Sequence, residues 1–173
     1  MRKRYSDLEI KNALKSLQIV VDTREQVNDH IITYLDAHKL PHVCRKLDVG
    51  DYSATLGEST LEDDVVIERK ASIDELCGNV TNDRDRFARE FTRAKAKNLK
   101  VFLIIEGATW RDLYMHNYRS KLEPKSLIAT LLSWQVRYNI TVIFCEKEHT
   151  ASIIYNTLYY SVREALENGE AII

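Results

Sequence analysis

Proline and glycine are scarce in this chain, two and five among 173 residues, so no flexible or proline-rich linker divides it. Its three cysteines, Cys44, Cys77 and Cys145, stand tens of residues apart with no CxxC pair. That spacing excludes a disulfide framework and a zinc knuckle, and it suits a reducing, cytoplasmic compartment. No apolar run approaches the ~18 residues of a membrane span. The opening MRKRYSDLEIKNALKSL scatters its charges and has no apolar core, unlike a secretory signal. Charge of one sign is also lacking: 25 lysines and arginines face 26 acids, a formal net charge of −1. A wholly basic binder is excluded, and a polyanionic partner has to be met by a local cluster. There is no P-loop and no GxGxxG, which argues against ATP-driven translocation. The five histidines, His30, His38, His42, His116 and His149, form no metal-binding constellation, since Pro41 interrupts the one helical spacing among them. What is present is an apolar content of 45%, enough to bury the core of a single domain.

The order of elements points to an α/β protein with a central mixed sheet flanked by helices. Ser6 with Glu9 three residues on is a capping-box pattern, and Ile10, Ala13, Leu14 and Leu17 follow at helical spacing. Residues 1–18 thus read as a helical extension ahead of a domain spanning 19–173. Ile19-Val20-Val21 is a short buried strand ending in Asp22, and a helix is expected over Gln26 to His38, before Pro41. His42 to Asp48 and Tyr52 to Leu56 read as strands joined at Gly50, with a polar turn at Gly57 to Asp63. Val65-Val66-Ile67 is another strand running into Glu68-Arg69-Lys70. Ser72 then caps a short helix through Leu76. Further on come a charged helix over Asn82 to Asn98, a strand over Lys100 to Glu106, a helix opened by Pro124 through Tyr138, a strand to Cys145 and a last helix over Thr150 to Leu166.

Unusual chemistry gathers where strands end. Asp22 and Glu25 leave the first strand, Asp51 stands between two strands, and Glu68 and Lys70 end a third. Residues two apart in a strand share a face, so Glu68 and Lys70 project together while Arg69 points away. Asp51, Glu68 and Lys70 make a D…ExK constellation. Its carboxylates can hold a hard divalent cation, and its ammonium can orient a water or offset charge on a phosphate. Alone this pattern is weak, because 29% of the chain is charged and strand-end acids are often merely solvated. Residues 81–100 add Arg84, Arg86, Arg89, Arg93, Lys95, Lys97 and Lys100 against Asp83, Asp85 and Glu90, a local excess of four positive charges. Such a helix either holds a phosphate backbone or is a solvated face laced with ion pairs such as Arg86 with Glu90. Arg2, Lys3 and Arg4 form a possible basic arm.

The segment VIERKASIDEL, Val66 to Leu76, resembles the ERKxxxD signature of the XPF/Hef family of structure-selective endonucleases. Upstream, IVVDTRE is similar to the first acidic motif of that family and Val49-Gly50-Asp51-Tyr52 to its GD motif. Downstream, Arg86-Phe87 with Glu90, and Leu103-Ile104-Ile105-Glu106, resemble the helix and strand that follow the signature. The resemblance implies a restriction-endonuclease-like, PD-(D/E)XK core and a Mg2+- or Mn2+-dependent DNA endonuclease, with branched, flap or fork DNA as substrates. It implies that Asp51 and Glu68 are the principal metal ligands and that Asp22 and Glu25 complete the acidic pocket, through water or a second metal. Asp22 thereby joins the candidate metal set. Lys70 would position the attacking water, and Arg69 would hold nearby carboxylates or a phosphate. Asp74 would pair with Arg69 or Lys70, or else serve only as helix N-terminal charge. Arg24 and Tyr52 read as surface and packing residues. Family members typically act as dimers and carry tandem helix-hairpin-helix modules. No such module is visible here, so a homodimer or a partner bearing those modules is expected to help grip DNA. Tyr155, Tyr159 and Tyr160 make the last helix a candidate dimer surface or a plain cover for the sheet. The competing readings are a non-catalytic DNA-binding or dimerisation subunit and, more remotely, a nucleotide phosphohydrolase.

Overall fold

The computed structural model describes residues 4–169, so the Arg2-Lys3 part of the basic arm lies outside the described residues, while Arg4 is exposed. In chain order the elements are α1 (Asp7–Ala13), β1 (Leu17–Val21), α2 (Asp29–Ala37), β2 (His42–Cys44), β3 (Tyr52–Leu56), β4 (Ser59–Thr60) and β5 (Val65–Lys70). They continue with α3 (Ile73–Thr81), α4 (Arg84–Ala96), β6 (Lys100–Glu106), α5 (Trp110–Tyr114), α6 (Pro124–Tyr138), β7 (Thr141–Cys145) and α7 (Thr150–Glu167). The chain divides into two compact units, Met1–Val66 with Ala151–Ile173, and Ile67–Thr150. The division falls inside β5, whose first two residues belong to one unit and whose last four belong to the other.

In the first unit β1 is central. It pairs parallel with β2 and antiparallel with β3, and β4 forms a short hairpin arm on β3. The register sets Leu17, Ile19 and Val21 opposite Leu56, Ala54 and Tyr52, and all six are buried. Opposed residues in an antiparallel pair share a face, so these six make one apolar layer. On the other face the buried Ser53 satisfies its hydroxyl by donating to the Val65 carbonyl at 2.8 Å. The Ser6–Glu9 capping box forms as expected and starts α1. In α7, Ile154, Leu158, Val162 and Leu166 recur every fourth position and are all buried. Strand β2 stops at Cys44, short of the expected Asp48. The Arg45 N–H donates to the Val21 carbonyl, and the chain then turns toward Asp22. Gly50, at φ +77°, makes the turn into β3 in a backbone region that disfavours other residues.

In the second unit β6 pairs parallel with β7, and Leu103, Ile104 and Ile105 are fully buried. Helix α4 buries Phe87, Phe91 and Ala94 on one stripe, while Arg84, Arg86, Arg89 and Arg93 are exposed. The stripe meets α6 through an aromatic cluster: Phe87 stacks on Trp134 at 5.9 Å, and Phe91 lies edge-on to Trp134 at 5.3 Å. Such offset and edge contacts add to the burial term. Asn139, at φ +56°, ends α6 in the left-handed conformation that asparagine tolerates. Trp134→Ala should therefore destabilise the protein by about 3–5 kcal/mol, the usual cost of emptying an aromatic core site. Denaturant unfolding of the variant measures it.

Candidate active site

The two units each carry part of the acidic chemistry. In the first, the β1–β3 pairing continues one step beyond the strands. The Asp22 N–H donates to the Asp51 carbonyl at 2.8 Å, which sets these two residues opposite each other. The Asp22 side chain is completely buried. Its Oδ1 accepts from the backbone N–H of Arg24 at 2.7 Å and from Arg24 Nε at 2.8 Å. Its Oδ2 accepts from Arg24 Nη2 at 3.0 Å and from the Leu47 N–H at 2.6 Å. Arg24 Nη2 also donates to the Leu47 carbonyl at 2.7 Å. Burial pushes the Asp22 carboxyl up, but the Arg24 guanidinium and the Leu47 and Arg24 N–H groups outweigh it and hold the carboxyl below the usual range. Beside this, the Tyr52 hydroxyl donates to Glu25 Oε1 at 3.2 Å.

In the second unit the alternation along β5 separates the ERK triplet as expected. Lys70 is buried, and its ammonium donates to Glu68 Oε1 at 2.8 Å. It lies 3.5 Å from Glu75 Oε1 and 5.1 Å from the centre of the Phe87 ring. Glu75 is held in turn at the start of α3, where its N–H donates to the Ser72 hydroxyl and its Oε2 accepts from the Ala71 N–H. Two carboxylates and an aromatic face thus fix a charged lysine that would otherwise be costly to bury. Arg69 forms a buried ion pair with Glu106 at the end of β6.

Several expectations change at this level. Asp74 pairs with neither Arg69 nor Lys70. Its carboxylate accepts from the N–H groups of Arg119 and Ser120 at 2.9 and 2.8 Å and from Arg119 Nε at 3.2 Å. It therefore pins the loop before α6, and those bonds hold its carboxyl low despite the opposing effect of burial. Arg86 sits beside Asp83 at 3.6 Å and against the Phe87 ring, not against Glu90. Arg24, read from the sequence as a surface residue, is the counterion of Asp22. Both oxygens of Asp22, a candidate metal ligand in the sequence, are engaged by Arg24 and Leu47. Among the described residues no group of three or more His, Cys, Asp or Glu side chains is gathered to hold a metal ion. The sequence reading also missed Glu75 as a partner of Lys70, although the Ser72–Glu75 spacing was a readable helix start.

The family model of the ERCC4 domain matches residues 21–157. The chain belongs to the ERCC4 domain family. Among solved structures it is similar to XPF from Aeropyrum pernix, with a TM-score of 0.61 at 24% identity over 90% of this chain. It is also similar to the same XPF in complex with DNA, with a TM-score of 0.62 at 23% identity over 85% of this chain. It spans 65% and 66% of those two chains, so it corresponds to part of their length. No curated protein matches it in sequence. The XPF/Hef resemblance is thereby borne out, and so is the restriction-endonuclease-like α/β fold. No helix among the described residues of this ERCC4-domain chain is long and apolar enough to cross a membrane.

Two outcomes follow from the charge pairs. Arg69→Met alone should cost about 3–5 kcal/mol by removing the guanidinium that faces the buried Glu106 carboxylate, whereas replacing both residues with apolar side chains should be near neutral; denaturant unfolding of the single and double variants separates the two. Because folding lowers the Asp22 carboxyl, its contribution to stability is present above the unfolded value of about 3.9. That contribution disappears as pH falls through the folded value. Asp22→Asn should flatten this part of the acid limb in a pH series of melting curves.

Proposed function

We propose that the chain is a Mg2+- or Mn2+-dependent DNA endonuclease that cuts phosphodiester bonds, preferring branched, flap or fork DNA. The observation that carries this reading is the buried Lys70 ammonium fixed 2.8 Å from Glu68 Oε1 at the end of β5, in a chain of the ERCC4 domain family. Any buried lysine needs an acidic partner; what favours chemistry here is that the ammonium stands beside Glu68 within the Glu68-Arg69-Lys70 triplet of an ERCC4-family chain, where it can offset negative charge building on a phosphate. Asp51 and Glu68 offer hard oxygen donors of the type divalent cations take. When bound, the cation would polarise the phosphoryl oxygen and lower the pKa of water. Lys70 orients the incoming water and offsets charge on the phosphate. Glu75 and Phe87 keep the Lys70 rotamer in place. Arg84, Arg86, Arg89 and Arg93, exposed on α4, hold the DNA backbone without reading bases. The Aeropyrum pernix relative solved with DNA supports this reading of the partner. A second copy of the chain or a protein carrying helix-hairpin-helix modules supplies further grip on duplex DNA.

One observation favours the second reading, a non-catalytic DNA-binding or dimerisation subunit of the same fold: both carboxylate oxygens of Asp22 are engaged within the protein. Nicking of labelled linear, flap, fork and four-way DNA in magnesium or manganese distinguishes the two. The endonuclease reading expects cleavage that Asp51→Ala and Glu68→Ala abolish without lowering the melting temperature greatly. It expects Lys70→Met to lower the rate by about 10²–10³, the range for losing one charge-stabilising group. Full turnover by the Asp51 and Glu68 variants would end this reading, and tight DNA binding with no cleavage by the wild type would establish the other.

A further inference from the structure

Asp22 and Arg24 bond within the β1 exit and to the loop between Cys44 and Tyr52, the loop that delivers Asp51. Asp22 Oδ2 accepts from the Leu47 N–H at 2.6 Å, and Arg24 Nη2 donates to the Leu47 carbonyl at 2.7 Å. The Asp22 N–H takes the Asp51 carbonyl at 2.8 Å, and the Arg45 N–H returns to Val21 at 3.0 Å. Leu47 is itself fully buried. Both main-chain groups of one loop residue are therefore held by one aspartate–arginine pair, and that aspartate also holds the backbone of Asp51. The Arg24 side chain is 62% exposed while that of Asp22 is not exposed at all, so the pair is closed from the solvent side by Arg24.

We infer that Asp22 and Arg24 are positioning residues: together they form a clamp that fixes the Leu47–Asp51 loop and so sets the Asp51 carboxylate for its cation, and Asp22 is not a ligand of that cation. The inference rests on the metal-dependent reading above for its consequence and on local geometry for the clamp. A fork-to-carboxylate pair has two parallel bonds and a fixed plane, which a lysine cannot reproduce. Residues that orient a ligand without touching the metal typically change metal affinity by about 10–100-fold when removed.

The test uses the whole chain with Asp22→Asn, Arg24→Ala, Arg24→Lys and the Asp22→Asn/Arg24→Ala double variant. In metal-free protein, amide hydrogen exchange at Leu47 should quicken in both single variants, and the double variant should add little to either. Arg24→Lys, changed at an exposed position, guards against a variant that fails to fold and should restore only part of the protection. In Mn2+ titrations followed by electron paramagnetic resonance, both single variants should bind about 10–100-fold more weakly with unchanged stoichiometry, and cleavage should lose kcat with little change in KM. Direct ligation by Asp22 gives the opposite sign: Arg24→Ala would release the carboxylate and tighten Mn2+ binding, while Asp22→Asn would remove a site. Either that pattern, or unchanged Leu47 exchange in Asp22→Asn, overturns the clamp. Wild-type protein that binds no Mn2+ would refute the metal-dependent function instead, and the exchange data alone would then decide the clamp.

Discussion

A charge withdrawn from water has to be met by another charge or by aligned hydrogen bonds, and this constraint shapes the chemistry-bearing ends of the strands. Asp22 is met by the fork of Arg24 and the Leu47 N–H, Arg69 by Glu106, and Lys70 by Glu68 and Glu75. Each solution falls at the end of a strand, where the ladder stops and side chains can reach loops and helix starts. The cost of burying these groups is large and their net contribution to stability is small. What they provide is position: a specific rotamer for a lysine and a specific path for a loop.

The strand alternation does the sorting. Along β5, Arg69 goes to one side and is locked to the end of β6, while Glu68 and Lys70 go to the other. The two basic residues of one tripeptide thus have unlike tasks, one anchoring the sheet and the other poised toward chemistry. Lys70 also leans on Phe87, and Phe87 is packed on Trp134. A single aromatic ring thereby connects the ammonium to the base of the arginine-bearing helix α4. In the proposed enzyme, the group that handles the phosphate and the helix that holds the strand share one packing element.

Much of this was legible in the sequence, and what was not has a common cause. Strand β6 and helix α6 appear with the expected bounds, because an unbroken β-branched and aromatic run and an N-terminal proline are strong local signals. The face-sharing of Glu68 and Lys70 follows from the two-residue period alone. Helix α5 was missed although Thr109 and Asp112 form a capping box, because five residues carry too little periodicity to register. The long-range choices were unreadable. Asp74 reaches Arg119, 45 positions away, and Arg69 reaches Glu106, 37 away, and nothing local favours those partners over nearer ones. Asp22 shows the limit most clearly: its place in an acidic motif gave no sign that the residue two positions on pairs with its carboxylate.

The same alternation makes the polar stretch from Gly57 to Asp64 intolerant of a particular kind of evolutionary drift. Loops ordinarily accept the gain or loss of one residue. Here a single-residue insertion that pushed β5 along by one step would turn every side chain over, pointing Arg69 where Lys70 belongs and setting the Glu68 carboxylate against that of Glu106. Both the anchor and the chemistry would fail together, so related chains should vary in this hairpin by substitution, or by length changes absorbed before Val65, and not by a shift of the strand itself.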